Sequence, residues 1–167
     1  MKVSRLFGIL LVLLSSRLSG ANDAIECRVQ PKFSSRDNIA QSVIDAVRQT
    51  RNQITLALYG FNNPELADEL AKLAKKNVSV RLKIDTAKST EKKTHHLIDT
   101  LKAAGVHIET VAPDGRNHNK FAVIDGARVL TGSYNWTAKA ETNWENLLIL
   151  ECPALAQSYE TEWGKIH

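Results

Sequence analysis

Cysteine occurs only twice in this chain, at Cys27 and Cys152. Two thiols so far apart do not make a metal site, and the adjacent pair His95-His96 lacks the one-face spacing of helical metal ligands. The two cysteines leave two readings open. One is a disulfide closing a long loop, worth about 4–5 kcal/mol in the chain-entropy model; the other is a pair of buried thiols on neighbouring strands. Long apolar runs are also missing. The longest, Leu6 to Leu14, is nine residues, against about 20 needed to span a bilayer. There is no internal repeat and no low-complexity stretch. Finally, only one histidine has a lysine two residues on. His95, His96 and His107 lack it; His118 has it, in Lys120.

The start of the chain reads as an export signal. Lys2 and Arg5 precede the apolar run, and Ser19-Gly20-Ala21 supplies small residues for cleavage. Residues 1–21 are therefore expected to be a cleaved leader, with a retained N-terminal anchor as the alternative, and 22–167 the working domain in the periplasm or outside the cell. The leader also carries most of the basic excess. The full chain has 22 basic and 18 acidic residues. Lys2, Arg5 and Arg17 leave with the leader and no acid does, so 19 face 18 and the net charge is +1. Global charge thus makes no case for a polyanionic partner, and any such binding must come from local clustering. The best cluster is Lys88, Lys92 and Lys93, with His95 and His96 nearby and Arg116 further on. It follows an expected strand, at the edge where α/β sheets bind ligands.

Hydrophobic periodicity organises the rest. Ile25–Phe33 reads as a strand. Asp37–Arg51 reads as a helix with Ile39, Val43, Ile44 and Val47 on one face and Ser35 or Asp37 as cap. Ile54–Tyr59 is a buried strand, Asn63-Pro64 opens a second helix, and Val78–Ile84 is a strand. Glu91–Ala104 is a helix closed by Gly105, and Val106–Val111 is another strand. A hairpin, a strand over Asn146–Leu150 and a helix from Pro153 complete the chain. Strands and helices alternate first and the antiparallel hairpin comes last. The fold class expected is α/β: one domain with a mixed sheet and helices on both faces. Trp163, on the last helix, is expected in the core.

The densest chemistry lies in that hairpin. His118-Asn119-Lys120-Phe121-Ala122-Val123-Ile124-Asp125 forms His-x-Lys-x4-Asp, and Ser133-Tyr134-Asn135 follows eight residues later. Side chains two apart on a strand share a face, so His118 and Lys120 point together while Asp125 points away. A two-residue turn with Gly126-Ala127 central (type II′) or Asp125-Gly126 central (type I′) sends the chain back. Either register puts Ser133 and Asn135 on the His118 face. A base or nucleophile, a cation and two neutral hydrogen-bonding groups then converge, which outlines a phosphoryl-transfer site. Lys120 and Asn135 would hold the non-bridging oxygens where charge develops, and Ser133 would add a hydroxyl. Asp125 is read as structural.

These residues resemble the phospholipase D superfamily, whose phosphodiesterases share the His-Lys-Asp motif. Gly132 to Thr137 and Glu145-Asn146 fall where that family places its serine, asparagine and acidic partner, and the likeness to its small bacterial endonuclease branch covers the chain after residue 24. The resemblance implies that Glu145 accepts a hydrogen bond from the His118 imidazole. It also implies two facing motifs: one histidine attacks phosphorus to form a phosphohistidine, and the other protonates the leaving oxygen and then activates water. One motif per chain implies a homodimer with a composite site. No cofactor or metal is called for. The expected activity is an exported, non-specific endonuclease on DNA or RNA, with a phospholipase D-type hydrolase of phospholipid as the alternative. Trp136, Trp144 and Tyr134 are candidates to stack on bases, with packing as the other reading of each.

Overall fold

The computed structural model describes residues 26–167; the expected leader lies outside the described residues. Strands β1 (Arg28–Phe33), β2 (Gln53–Leu58), β3 (Ser79–Asp85), β4 (His107–Val111), β5 (Lys120–Ile124), β6 (Arg128–Gly132) and β7 (Asn146–Glu151) alternate with α1 (Ile39–Arg48), α2 (Pro64–Lys75), α3 (Thr86–Ser89), α4 (Lys92–Ala103) and α5 (Pro153–Lys165). A short 3-10 turn spans Ala138–Thr142. The strands form one sheet in the order β1-β7-β6-β5-β2-β3-β4. β2, β3 and β4 are parallel, while β5, β6, β7 and β1 add antiparallel neighbours. This is the mixed sheet expected from the order of elements. Among the described residues no helix is long and apolar enough to cross a membrane.

Period-two alternation divides the sheet between two cores. Ile54, Leu56 and Leu58 of β2 face α1, α2 and α4, joined by Leu82, Ile84, Ala122, Ile124 and Leu130. Ala57, Phe121, Val123 and Val129 face the other way, against Ala156 and Trp163 of α5. Both faces of β2 are thus buried, which is why it reads as a continuous apolar run. Each fully buried Leu or Ile contributes about 1.5–3 kcal/mol. Trp163 lies in the second core, as expected, and its indole N–H donates to the Leu56 carbonyl at 2.8 Å. Lys83 is buried on that same face. Its ammonium donates to the carbonyls of Ile166 at 2.7 Å and Trp163 at 3.2 Å. A cation there meets the negative end of the helix and satisfies carbonyls that have no partner within it.

Helix starts follow capping chemistry. Asn63 caps α2, accepting from the Leu66 N–H at 3.1 Å, with Pro64 just inside. α1 differs from expectation. Its cap is Asn38, which accepts from Gln41 N–H at 2.9 Å, while Asp37 closes the preceding turn by accepting from Phe33 N–H. α3 was not anticipated: four residues are too few to show a helical period, and Asp85 caps it. Cys27 and Cys152 are joined in a disulfide, which resolves the two readings of the pair. It ties the residue just before the edge strand β1 to the N-cap of α5.

The parallel strands β2 and β3 run toward one edge of the sheet, and β5 begins there, with Leu58 opposite Lys120. That edge holds the candidate site.

Candidate active site

Two buried polar residues set the approach to β5. Asp85, at the end of β3, accepts from Lys88 N–H at 3.2 Å and from Asn117 N–H at 3.1 Å. The Asn117 side chain in turn accepts from the Asn119 amide at 2.9 Å, and Tyr59 N–H donates to the Asn119 carbonyl at 2.8 Å. The backbone on both sides of His118 is therefore pinned to the ends of β2 and β3.

His118 is exposed, with its ring against Tyr59, centroids 4.4 Å apart. The Lys120 ammonium lies 3.0 Å from His118 Nδ1 and 2.8 Å from its carbonyl oxygen. An ammonium only donates, so in this arrangement Nδ1 accepts and the imidazole proton sits on Nε2. Burial lowers the Lys120 pKa from its ordinary value, and the nearby Glu145 carboxylate partly offsets this. The same-face placement of His118 and Lys120 is what strand parity predicts.

Glu145 has other partners than the one expected. Its carboxylate accepts the Ser133 hydroxyl and, at 3.1 Å, the Asn143 amide. The imidazole's neighbour is Lys120 instead. Ser133 Oγ also accepts from Asn146 N–H at 3.0 Å. Ser34, just after β1, donates its N–H to the Glu145 carbonyl, and its hydroxyl accepts from Glu145 N–H. Ser133 and Glu145 thus form one unit, coupled to Lys120 through charge, with no hydrogen bond from Ser133 to His118. Asn135 sits beside Gly60 and Tyr59, its Oδ1 buried without a partner among the described residues.

The hairpin register explains how these residues arrive. Asp125 and Gly126 both have positive φ, 52° and 62°, and Ala127 N–H returns to the Ile124 carbonyl. This is the second of the two expected turns. Yet Ile124 pairs with Arg128, not Ala127, so Ala127 is an extra residue and the register slips by one. Regular pairing would then put Ser133 on the face opposite Lys120. The chain corrects this after Gly132: the amides of Ser133 and Tyr134 both donate to the Asn146 carbonyl, a bulge that re-aims the side chains beyond it. Gly132 is required there, because a Cβ would stand 2.3 Å from that carbonyl oxygen.

Asp125 faces away, as expected. Its carboxylate accepts backbone N–H groups of Arg51, Asn52 and Gln53 at 3.0, 2.8 and 3.0 Å. Burial pushes its pKa up, but those three bonds and the Arg51 charge outweigh it, and the net shift is downward.

The proposed substrate contacts divide. Lys88 lies over the Tyr59 ring at 5.2 Å and pairs with Glu91. Arg116 pairs with Asp85 at 3.6 Å. Lys92 and Lys93 are exposed on the first turn of α4. Trp136 is a correction: it is 1 % exposed, packed in the first core, and offers no ring to a ligand. Tyr134 is buried likewise, and burial with Glu141 and Glu145 nearby raises its pKa. Trp144, 86 % exposed beside Glu145, is the aromatic of the three that faces solvent. Tyr59, Asp85, Asn117 and Ser34 were not singled out from the sequence. For Tyr59 and Asp85 the available signal was position, at the C-terminal ends of parallel strands. Among the described residues no group of three His, Cys, Asp or Glu side chains is placed to hold a metal ion.

Known proteins resemble this chain over most of its length. A family model described as "Cardiolipin synthase, PLD-like domain" matches residues 43–166. The mitochondrial cardiolipin hydrolase of Xenopus laevis is 34% identical over 117 residues, which is 70% of this chain and 55% of that protein. The chain therefore spans about half the length of the cardiolipin hydrolases it matches. A phospholipase D of Rickettsia conorii is 28% identical over 81% of this chain and 68% of its own length. Among solved structures, Nuc from Salmonella typhimurium, a phospholipase D family member, superposes with a TM-score of 0.80 at 26% identity, covering 84% of this chain and 94% of Nuc.

Proposed function

Because this chain belongs to the phospholipase D-like family of phosphodiester hydrolases, we propose that it is an exported endonuclease that cleaves DNA or RNA strands with little sequence preference, through a phosphohistidine and without a metal. The observation that carries this reading is the pair His118–Lys120 held against Tyr59 at the sheet edge, with Asn135 and the Ser133–Glu145 unit beside it. The superposition on Nuc, with a TM-score of 0.80 at 26% identity, supports the small phosphodiesterase branch that the motif residues resemble.

The chemistry needs two imidazoles in opposite states, so the working unit is a homodimer with one composite site. Nε2 of one His118 attacks phosphorus while the P–O bond to the leaving strand breaks. His118 of the partner subunit gives its Nε2 proton to that leaving oxygen. The partner then takes a proton from water, the resulting hydroxide attacks the phosphohistidine, and the P–N bond breaks to free the product and the first histidine. With Lys120 on Nδ1 the ring is a neutral imidazole protonated on Nε2; the acid is the imidazolium, which also carries a proton on Nδ1, so Lys120 leaves Nδ1 in both subunits. For the nucleophile, Nε2 must be bare and the proton must move to Nδ1. Substrate supplies the cause, because a phosphate draws the Lys120 ammonium away from the ring to its non-bridging oxygens. Glu145, whose charge reaches Lys120, is the carboxylate proposed to accept Nδ1–H, exchanging its bond to Ser133 for it. Lys120 and Asn135 stabilise the charge that accumulates on those oxygens.

The 34% identity to cardiolipin hydrolases supports a second reading, hydrolysis of an acidic phospholipid. Purified protein incubated with plasmid DNA, RNA and phospholipid vesicles in excess EDTA separates the two. Nicking and degradation of nucleic acid undiminished by EDTA are expected. Activity lost on chelation and restored by a divalent ion would overturn the metal-free mechanism, and turnover confined to vesicles would overturn the nuclease reading. Size measured by light scattering should correspond to a dimer. A fully active monomer would refute the composite site.

A further inference from the structure

We propose that the groove leading away from His118 between α4 and the 3-10 turn is a binding track for the single strand that flanks the scissile phosphate. Lys139 and Lys93 meet its successive phosphates beyond Lys88. The proposal rests on the nuclease reading and adds to it where the rest of the polymer lies.

Two depressions make the groove. The first, about 290 Å³, is bounded by Tyr59, Gly60, Lys88, Asn135 and Lys139. The second, about 450 Å³, continues from it, sharing Asn62 and Lys139 and reaching Lys93 and Leu97. The first adjoins the catalytic pair through Tyr59, whose ring touches His118 on one side and carries Lys88 5.2 Å from its centre. Lys88 Nζ consequently stands within about 10 Å of the imidazole. A strand held with one phosphate at His118 and Lys120 has its flank directed along this path.

The floor is kept open. A Cβ at Gly60 would meet Thr137 Cγ2 at 3.2 Å and project toward Asn135. Asn135 also lines the first depression, and its Oδ1 is buried without a partner among the described residues. Along the walls, Glu91 is the one carboxylate, and it is taken up by Lys88 at 2.6 Å. Lys93 and Lys139 are exposed and have no carboxylate within 4.0 Å among the described residues. Cations spaced along a channel, not converged on one point, suit a chain of phosphates better than a single anion. The apolar surface of Leu97 and Pro64 between them offers a face for bases.

The test uses His118→Ala protein, which binds without cleaving, and a fluorescein-labelled single-stranded DNA oligonucleotide titrated over a range of salt. Each phosphate contact contributes about 0.7 to the slope of log K against log salt for a single strand. Adding Lys93→Gln and Lys139→Gln together should make the slope shallower by about 1.4. Lys72→Gln, a control on α2 outside the groove, should leave it unchanged. An unchanged slope in the double variant, or no salt-dependent binding at all, overturns the track. Cleavage by the wild-type protein is scored separately. A strand cut normally with an unchanged slope sinks the track and leaves the nuclease reading standing; a strand bound through both lysines yet left uncut does the reverse. Binding of anionic phospholipid vesicles that depends on the two lysines, with no binding of the oligonucleotide, would assign the groove to lipid and overturn the proposal.

Discussion

His118→Ala should leave no measurable turnover of any phosphodiester, because in the proposed dimer it removes the nucleophile from one subunit and the leaving-group acid from the other. Lys120→Ala should come close to it. An ammonium aimed at developing charge in a water-poor site is worth about 10²–10³ in rate. The two losses differ in kind. His118 is exposed and stacked on Tyr59 alone, so its removal should not lower the thermal midpoint appreciably. Lys120 spans Nδ1 and the His118 carbonyl, so its removal also frees the imidazole to rotate. Because burial holds the Lys120 pKa below its usual value, the alkaline limb of kcat/KM should fall below the ordinary lysine range near 10.4. The limb should disappear from the residual activity of Lys120→Ala. Turnover of either variant within tenfold of wild type, with an intact fold, would remove that residue from the mechanism.

The parts of this site written locally were legible, and those that depend on strand pairing were not. His118 and Lys120 share a face by period two, and the Asp125-Gly126 turn has the residues a positive-φ turn demands. The fold class followed from the order of elements. What could not be read was the extra residue Ala127, which slips the register, and the bulge after Gly132, which re-aims Ser133 and the residues beyond it. The two offsets compensate: Ser133 ends on Glu145 and Asn135 beside Gly60, although the register differs by one from either regular hairpin. A bulge is decided by the partner strand, here the Asn146 carbonyl, 14 residues from Gly132 in sequence. Gly132 was its only local trace. Trp136 misled for a related reason: adjacency in sequence to Asn135 says nothing about which face a bulged segment presents, and the ring went into the core.

The carboxylate that gives the motif its third letter should behave unlike the other two. Asp125 touches no part of the site; it gathers backbone N–H groups of Arg51 and Asn52 in the loop after α1 and of Gln53, the first residue of β2. Asp125→Asn keeps a residue that tolerates positive φ, so it tests the charge and acceptor capacity without adding backbone strain. The amide group turns one acceptor into a donor facing N–H groups, and a loss of about 2–4 kcal/mol in stability is expected. Activity of the folded fraction should persist below the melting transition. The pH dependence has a definite sign. Asp125 has a folded-state pKa below its unfolded value, so its contribution is complete above the unfolded pKa of about 3.9 and is lost as pH falls through the folded one. The wild-type advantage over Asp125→Asn should therefore shrink below about pH 4. Turnover and thermal midpoint measured together decide it. An Asp125→Asn protein that melts like wild type and is as inactive as His118→Ala would mean that this side chain acts in catalysis, and that the division of the hairpin into a catalytic face and a structural face is wrong.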